Sequence, residues 1–449
     1  MDIEIKVVDE RRQCVVVGGG SAGWVAAVAA ARNGAQVLLI ERYGYLGGTA
    51  ASVALSGFGG LYSGETREQH IFGIPDELLQ RLQEYGGSAG VVPEGWTGGS
   101  SPYDKELLKQ VAMDMAVEAG VELLLHTRFV DAVVEDGRMQ GVVVAAKDGL
   151  HYIPADVVID ASGDGDVFAA AGAAYDKGAS NGKMQPTTMT FKVGGVDTEG
   201  LLAYVRANPE KANSRDLSGL PTTLGGFKEE VAAAIAAGEY QPNMDQLAIH
   251  FTFRSTEVAL NMLHTTDIDG TDPWSLTRSE VEGRRQVLPA LNFLRRRIPG
   301  FADAYLIETA VHAGTRESRR LIGEYVLTKE DILAGRTFTD AVISTTGTMS
   351  YHDPEGKLQT TVTKLQKPYQ IPYRCLVPRD LDGLLVAGRC VSVDNQGLST
   401  VRSAGVALAL GQVAGTAAAL ALAEGIQPRE VDAAQIRDRI DVRFSHAPA

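Results

Sequence analysis

The stretch CVVVGGGSAG, Cys14 to Gly23, constrains this chain more than any other. Gln13–Val17 is short, apolar and β-branched, the pattern of a strand buried in a parallel sheet. From Ala22 the sequence AGWVAAVAAARN reads as a helix, and Gly34 is its C-terminal stop. QVLLI is a second buried strand that ends at Glu41. Between first strand and helix, Gly18, Gly20 and Gly23 stand as G-x-G-x-x-G. Strand, glycine loop, helix, strand and terminal acid together form the context that binds a dinucleotide. Gly18 makes the tight turn, Gly20 lets a pyrophosphate approach the backbone, and Gly23 lets the helix pack on the strand. Ser21 and Ala22 open a helix whose free N–H groups and partial positive charge face the phosphates. Glu41 is placed to accept hydrogen bonds from ribose hydroxyls and disfavours a 2′-phosphate.

Composition removes several other classes. The net charge of −14 disfavours nucleic acid, which needs a basic face. Cys14, Cys375 and Cys390 form no C-x-x-C pair, so a disulfide framework, dithiol relay or zinc ribbon is not expected. The eight histidines show no metal-ligand spacing, and no metal is assigned. The start, MDIEIKVVDERRQ, is charged and lacks an apolar signal core, so a cytoplasmic protein is expected. Ser403–Ala423 has the length of a membrane span and no charge, yet it is built of small residues and contains Gln412 and Thr416. It reads as a buried helix.

The glycine fingerprint alone fits FAD or NAD. After Glu41 the chain reads ERYGYLGGTAA, with Arg42, then Gly47, Gly48 and Thr49. Here it resembles the FAD-dependent oxidoreductases of the glutathione-reductase-like superfamily. The resemblance implies that Gly47 and Gly48 lie along the FAD pyrophosphate and ribityl chain. Three later segments carry it further. Val157–Asp160 is a strand before the Ala161-Ser162-Gly163 turn, with Asp166 beyond. Leu384–Ala387 is a strand before the Gly388-Arg389 turn. The helix beginning Ser403-Ala404-Gly405 would, by resemblance, point its N-terminus at the flavin pyrimidine edge. A helix N-terminus there would stabilise the negative charge of a reduced flavin, and small residues would let it lie close beneath the ring. Non-covalent FAD is the cofactor implied.

The expected architecture is α/β: a Rossmann-like FAD-binding domain with a parallel sheet and an antiparallel meander, plus an α+β substrate domain. The FAD-binding domain takes 11–184 and 376–425, with 62–102 as a glycine-rich excursion near the substrate mouth. Within it, 103–119 reads as an amphipathic helix. The meander turns at Glu135-Asp136-Gly137 and Lys147-Asp148-Gly149 and resembles the one that covers a face of FAD domains, which implies Val130 as the adenine contact. The substrate domain takes 185–375, and 426–449 is a surface helix and tail.

No second G-x-G-x-x-G follows a strand, so NAD(P) has no domain of its own here. The expected function is hydride or electron transfer between a small organic substrate and flavin N5, in the manner of a dehydrogenase or oxidase. The acceptor would be dioxygen, a quinone or a redox protein. The alternative is a flavin monooxygenase using NAD(P)H and dioxygen. Such chemistry needs an acid or base and anchors for polar substrate groups. VHAGTRESRRLIGEY supplies His312, Arg316 and Arg320, which share a face if the segment is helical. Its arginines would anchor a carboxylate or phosphate, or else pair with Glu308, Glu317 or Glu324. GTMSYHDPEGK supplies Tyr351 and His352, the histidine as acid or base with a pKa near neutrality. Thr49 and Ser52 could face the flavin ring. His250, Arg254 and Arg374 are weaker candidates.

Overall fold

The structure, a computed structural model, describes residues 4–440 and 442 apart from 56, 63–67, 95–97, 213–221, 241–243, 253 and 355–359. Arg12–Val17 is the first buried strand, with Val15 and Val16 fully removed from solvent. Val37–Ile40 lies parallel beside it, and Glu122–Leu124 parallel beyond that. On the other flank lies Gly149–Asp160, whose C-terminal half runs parallel to both Arg12–Val17 and Leu384–Val386. Its N-terminal half pairs antiparallel with Arg138–Ala146, which pairs with Arg128–Glu135. One long strand therefore joins a parallel sheet to an antiparallel meander, making a mixed eight-stranded sheet. The parallel strands end together at Val17, Ile40, Asp160 and Val386, the edge where open α/β sheets bind ligands.

The helix Ser21–Arg32 packs on this sheet, and Ala404–Glu424 packs on that helix. A Cβ on Gly411 would come within 2.1 Å of the Ala22 carbonyl oxygen, and one on Gly415 within 2.1 Å of the Ala26 oxygen. The small residues of the late helix thus let two helices approach backbone to backbone, not primarily a helix and a ring. Ala404–Glu424 is the only helix among the described residues long and apolar enough to cross a membrane, and 89% of its most apolar window is buried in the protein.

The stretch 62–102 is more ordered than its glycines suggest. Ile74–Glu84 is a helix whose Leu78, Leu79 and Leu82 join the main core. Parts of the stretch, 63–67 and 95–97, lie outside the described residues.

A second hydrophobic core forms around a five-stranded antiparallel sheet: Thr223–Gly226, Leu247–Phe251, Val258–Leu260, Phe191–Gly194 and Tyr305–Thr309 in spatial order. Across it lies the 25-residue helix Pro273–Arg297, started by Asp272, whose side chain accepts from the Ser275 N–H. The expected substrate region 185–375 does not hold together as one core. Its members from Met189 to Ala313 do, but Leu321, Leu327, Ile343 and Ile371 pack into the first core. In the tail, Ala433–Arg439 is helical and buries Ile436, so only one face is at the surface. Residues 441 and 443–449 lie outside the described residues.

Candidate functional site

A cavity of about 680 Å³ opens at the ends of the parallel strands and continues to the second sheet. Its first half is built on glycines with two different physical reasons for being glycine. Gly18 turns at φ +98°, and a Cβ there would strike the Ala161 oxygen at 2.5 Å. A Cβ on Gly23 would lie 1.7 Å from the Gly18 oxygen. Both are required by the protein's own chain. Gly20 is not: its φ is −68°, and its Cβ would meet no atom closer than the Gly48 Cα at 3.9 Å. Gly20 faces the cavity, so its missing side chain leaves room for whatever enters. The cradle therefore fits a pyrophosphate lying against the Gly20 backbone at the start of the helix.

Glu41 is 6% exposed at the end of its strand. Its Oε2 accepts from the Gly19 N–H at 2.6 Å and its Oε1 from the Tyr43 N–H at 2.8 Å. These bonds fix the carboxylate on the cavity wall and leave other lone pairs for a ligand. Ser21, Ala22, Arg42, Gly48 and Thr49 line the same half. Gly47 stands behind them, its N–H donated to the Gly19 oxygen at 2.8 Å.

Opposite lie Ala161, Ser162, Gly163, Asp166, Gly388 and Arg389. Asp160 organises this turn from beneath. Its carboxylate accepts from the Ser162 N–H and hydroxyl and from the N–H groups of Val167 and Phe168. Burial nevertheless raises its pKa to about 6. Arg389 pairs with Asp164 at 2.6 Å and donates to the Ser318 hydroxyl. Burial alone would raise Asp164, but Arg389 holds its carboxyl below the ordinary value. Ser403 and Ala404 line the cavity. Gly405 does not: its N–H goes to the Gly59 oxygen, and a Cβ would meet that oxygen at 2.6 Å. Val130 is also off the wall. The strand register shifts there, leaving Val130 48% exposed, while Thr127, Arg128 and Phe129 face the cavity.

The second half is polar. Residues 311–318 form no helix, so His312, Arg316 and Arg320 share no helical face. His312 lines the cavity, with Nε2 at 3.1 Å from the Ser52 hydroxyl and its ring stacked on Tyr43 at 6.0 Å. Arg316 lines it too, while Arg320 lies outside, ion-paired to buried Glu317 and donating to the Gly178 oxygen. Ser52 touches the cavity only through His312.

Tyr351 and His352 part company for a simple reason. Thr348–His352 is a strand, and alternate residues Thr348, Ser350 and His352 face the cavity. Tyr351 therefore points away, and burial raises its phenol to about 12. His352 does not titrate near neutrality. Burial, with Arg316, His264 and Arg402 nearby, lowers it well below the ordinary value. His264 stands edge-on to it at 5.0 Å. Three other candidates are off the wall. His250 is lowered to about 4 by burial and lies 3.2 Å from the Thr223 hydroxyl. Arg254 reaches Asp104, and Arg374 pairs with Asp340 at 2.9 Å.

Sequence reasoning missed Arg402 and His264. Arg402 carries a visible signal, standing one residue before the N-cap Ser403 of the late helix. His264 carries none: it stands behind the cavity wall, against Arg316 and His352, through the pairing of Thr187–Thr188 with His264–Thr265. Among the described residues no group of three His, Cys, Asp or Glu could hold a metal ion.

Residues 13–440 match the profile of a family described as FAD dependent oxidoreductase. Digeranylgeranylglycerophospholipid reductase 1 of Methanopyrus kandleri is 36% identical over 162 residues, 33% of this chain and 39% of that protein. Fumarate reductase (cytochrome) of Shewanella frigidimarina is 26% identical over 186 residues, 33% of this chain and 32% of that protein. The chain thus matches well under half the length of these relatives. Among solved structures, the flavin-dependent brominase Bmp2 superposes with a TM-score of 0.53 at 15% identity, covering 96% of this chain and 83% of its own. That likeness speaks for the fold.

Proposed function

The chain belongs to the FAD-dependent oxidoreductase family and FAD is its cofactor, and from that premise we propose that it dehydrogenates a small organic substrate at a C–OH, C–N or C–C bond. The electrons would pass on to dioxygen, a quinone or a redox protein. The observation that carries this reading is the continuity of one cavity, from Gly20 and Glu41 at one end to Arg316 and His352 at the other.

When bound, FAD supplies the hydride or electron transfer, and the chain supplies binding, orientation and proton handling. Gly18, Gly20 and the start of the helix Ser21–Arg32 would hold the pyrophosphate, and Glu41 a ribose. Gly48, Thr49, the Ala161–Gly163 turn, Gly388-Arg389 and Ser403-Ala404 would complete the cradle. Dehydrogenation takes a hydride and a proton from the substrate. His352, kept neutral by burial and by the cations beside it, would hydrogen-bond the substrate on the far wall and not hold its proton. His312, fixed by Ser52 and stacked on Tyr43, is the cavity histidine that would take that proton. We further read the four FAD-like segments, in their order, as the glutathione-reductase-like arrangement.

Anaerobic mixing of the yellow protein with a panel of alcohols, amines and acids tests the proposal. Bleaching of the flavin by one of them without NAD(P)H is the expected result. Bleaching by NAD(P)H, accelerated by an aromatic substrate, would favour the monooxygenase reading instead.

A further inference from the structure

Buried charges in this protein are generally paired. Arg320 meets Glu317, Arg389 meets Asp164 and Lys105 meets Glu308. Arg316 and Arg402 on the cavity wall are different. Arg316 is 8% exposed. Its Nη1 donates to the Pro186 oxygen at 2.7 Å and to the Thr188 hydroxyl. Its Nη2 donates to Asn261 Oδ1 at 3.4 Å and His264 Nε2 at 3.0 Å. Every acceptor is neutral, His264 included, because a guanidinium can only donate and needs an unprotonated nitrogen. These bonds fix the guanidinium without balancing its charge.

Arg402 donates Nη2 to the Ser350 oxygen at 3.2 Å, and its Nε is buried with no acceptor. Neither arginine meets a carboxylate at ion-pair distance among the described residues. The interior acid Glu317 favours the charged form of Arg402 but forms no ion pair with it, being bonded instead to Arg320, the Gln185 N–H and Asn395. Burial and neighbouring cations lower Arg316 to about 9 and Arg402 to about 10, so both stay charged at neutral pH. Two like charges without a counter-ion on one buried wall are costly unless a ligand brings the missing charge.

We infer that the substrate of this cavity is an organic acid whose carboxylate docks on the cavity-facing guanidinium of Arg402, with Arg316 supplying the second positive charge. A guanidinium takes a carboxylate through charge-assisted hydrogen bonds. Glu280, which also lines the cavity, is already paired with Arg284 and accepts from the Ala313 N–H, so it does not balance the two guanidiniums. The inference rests on the cavity being the substrate site of an FAD enzyme.

Calorimetric titration of the FAD-loaded protein with acetate, succinate, benzoate, succinamide and inorganic phosphate tests it. At least one carboxylate should bind with a Kd of about 1 mM or tighter. Succinamide should bind at least about tenfold more weakly than succinate, since it lacks the charge. Arg402→Gln should lose about tenfold or more in carboxylate affinity, Arg402→Lys should recover part of it, and FAD content should not change. The inference is overturned if no carboxylate binds, if phosphate binds more tightly than every carboxylate, or if Arg402→Gln binds carboxylate as the parent does. Protein that takes up no FAD yet binds carboxylate through Arg402 would instead sink the enzyme reading and leave the anion site standing.

Discussion

Gly20 and Gly23 stand three residues apart in one motif, yet their missing side chains serve different masters. At Gly23 a methyl group would overlap the Gly18 oxygen, so Gly23→Ala should destabilise the fold by about 3 kcal/mol or more and abolish FAD retention. At Gly20 the backbone suits any residue and the space is open. Gly20→Ala should cost the FAD-free protein less than about 1 kcal/mol, a cap effect, while weakening FAD binding strongly. Thermal melts with and without FAD would check this; equal losses in both variants would sink the distinction. The same motif in sequence could not separate the two roles, because φ and the neighbouring chain decide them. His352 was legible as a polar residue in a candidate loop, but not its charge state. That depends on burial and then on Arg316, His264 and Arg402, brought near from other segments.

At the scale of elements, Asp160 shows how one strand end shapes a turn and a helix start. It ends Gly149–Asp160 and accepts four donors from the turn and from the helix Asp166–Ala170. An amide has one acceptor oxygen and would turn an N–H group toward other N–H groups. Asp160→Asn should therefore destabilise the protein by roughly 2–3 kcal/mol, measured as a lower urea midpoint at unchanged slope. A midpoint equal to the parent's would show the four bonds to be dispensable. Periodicity located the helix at 103–119 well, where the structure has Lys105–Glu118. It failed where glycine density masked a helix at Ile74–Glu84. It also could not say which face of Thr348–His352 meets the cavity, since alternation gives two faces and only packing chooses between them.

Across the whole molecule, the buried histidines set a pH response. His264 and His352 are held well below 6.5 by burial, and His250 is lowered to about 4. The unfolded chain takes up protons near pH 6.5 that the folded protein refuses, so stability falls as pH drops below that value. Each such group contributes a slope of up to roughly 1.4 kcal/mol per pH unit. Asp160 acts in the opposite sense. Its pKa, raised from 3.8 to about 6, makes the folded state bind a proton between those values and offsets one histidine. The net expectation is a Tm that declines steadily from about pH 7 downward, and less steeply in His264→Gln. A Tm flat across the interval from about pH 7 to 5 would mean these imidazoles are not buried neutral in solution.

The sequence by itself determined the βαβ cofactor unit, because strand, glycine loop, helix and acid are adjacent in the chain and their roles follow from local geometry. Tertiary structure alone decided what meets that unit. It moved Leu321, Leu327, Ile343 and Ile371 into the first core, turned Tyr351 away from the cavity, and left Val130 exposed at a register shift. It set Arg316 beside His264 and brought Arg402 to the same cavity with no ion-paired acid among the described residues. The physical reason is that a charge's surroundings are made by residues distant in sequence. A fingerprint is read along the chain, and an unbalanced buried charge is read only across it.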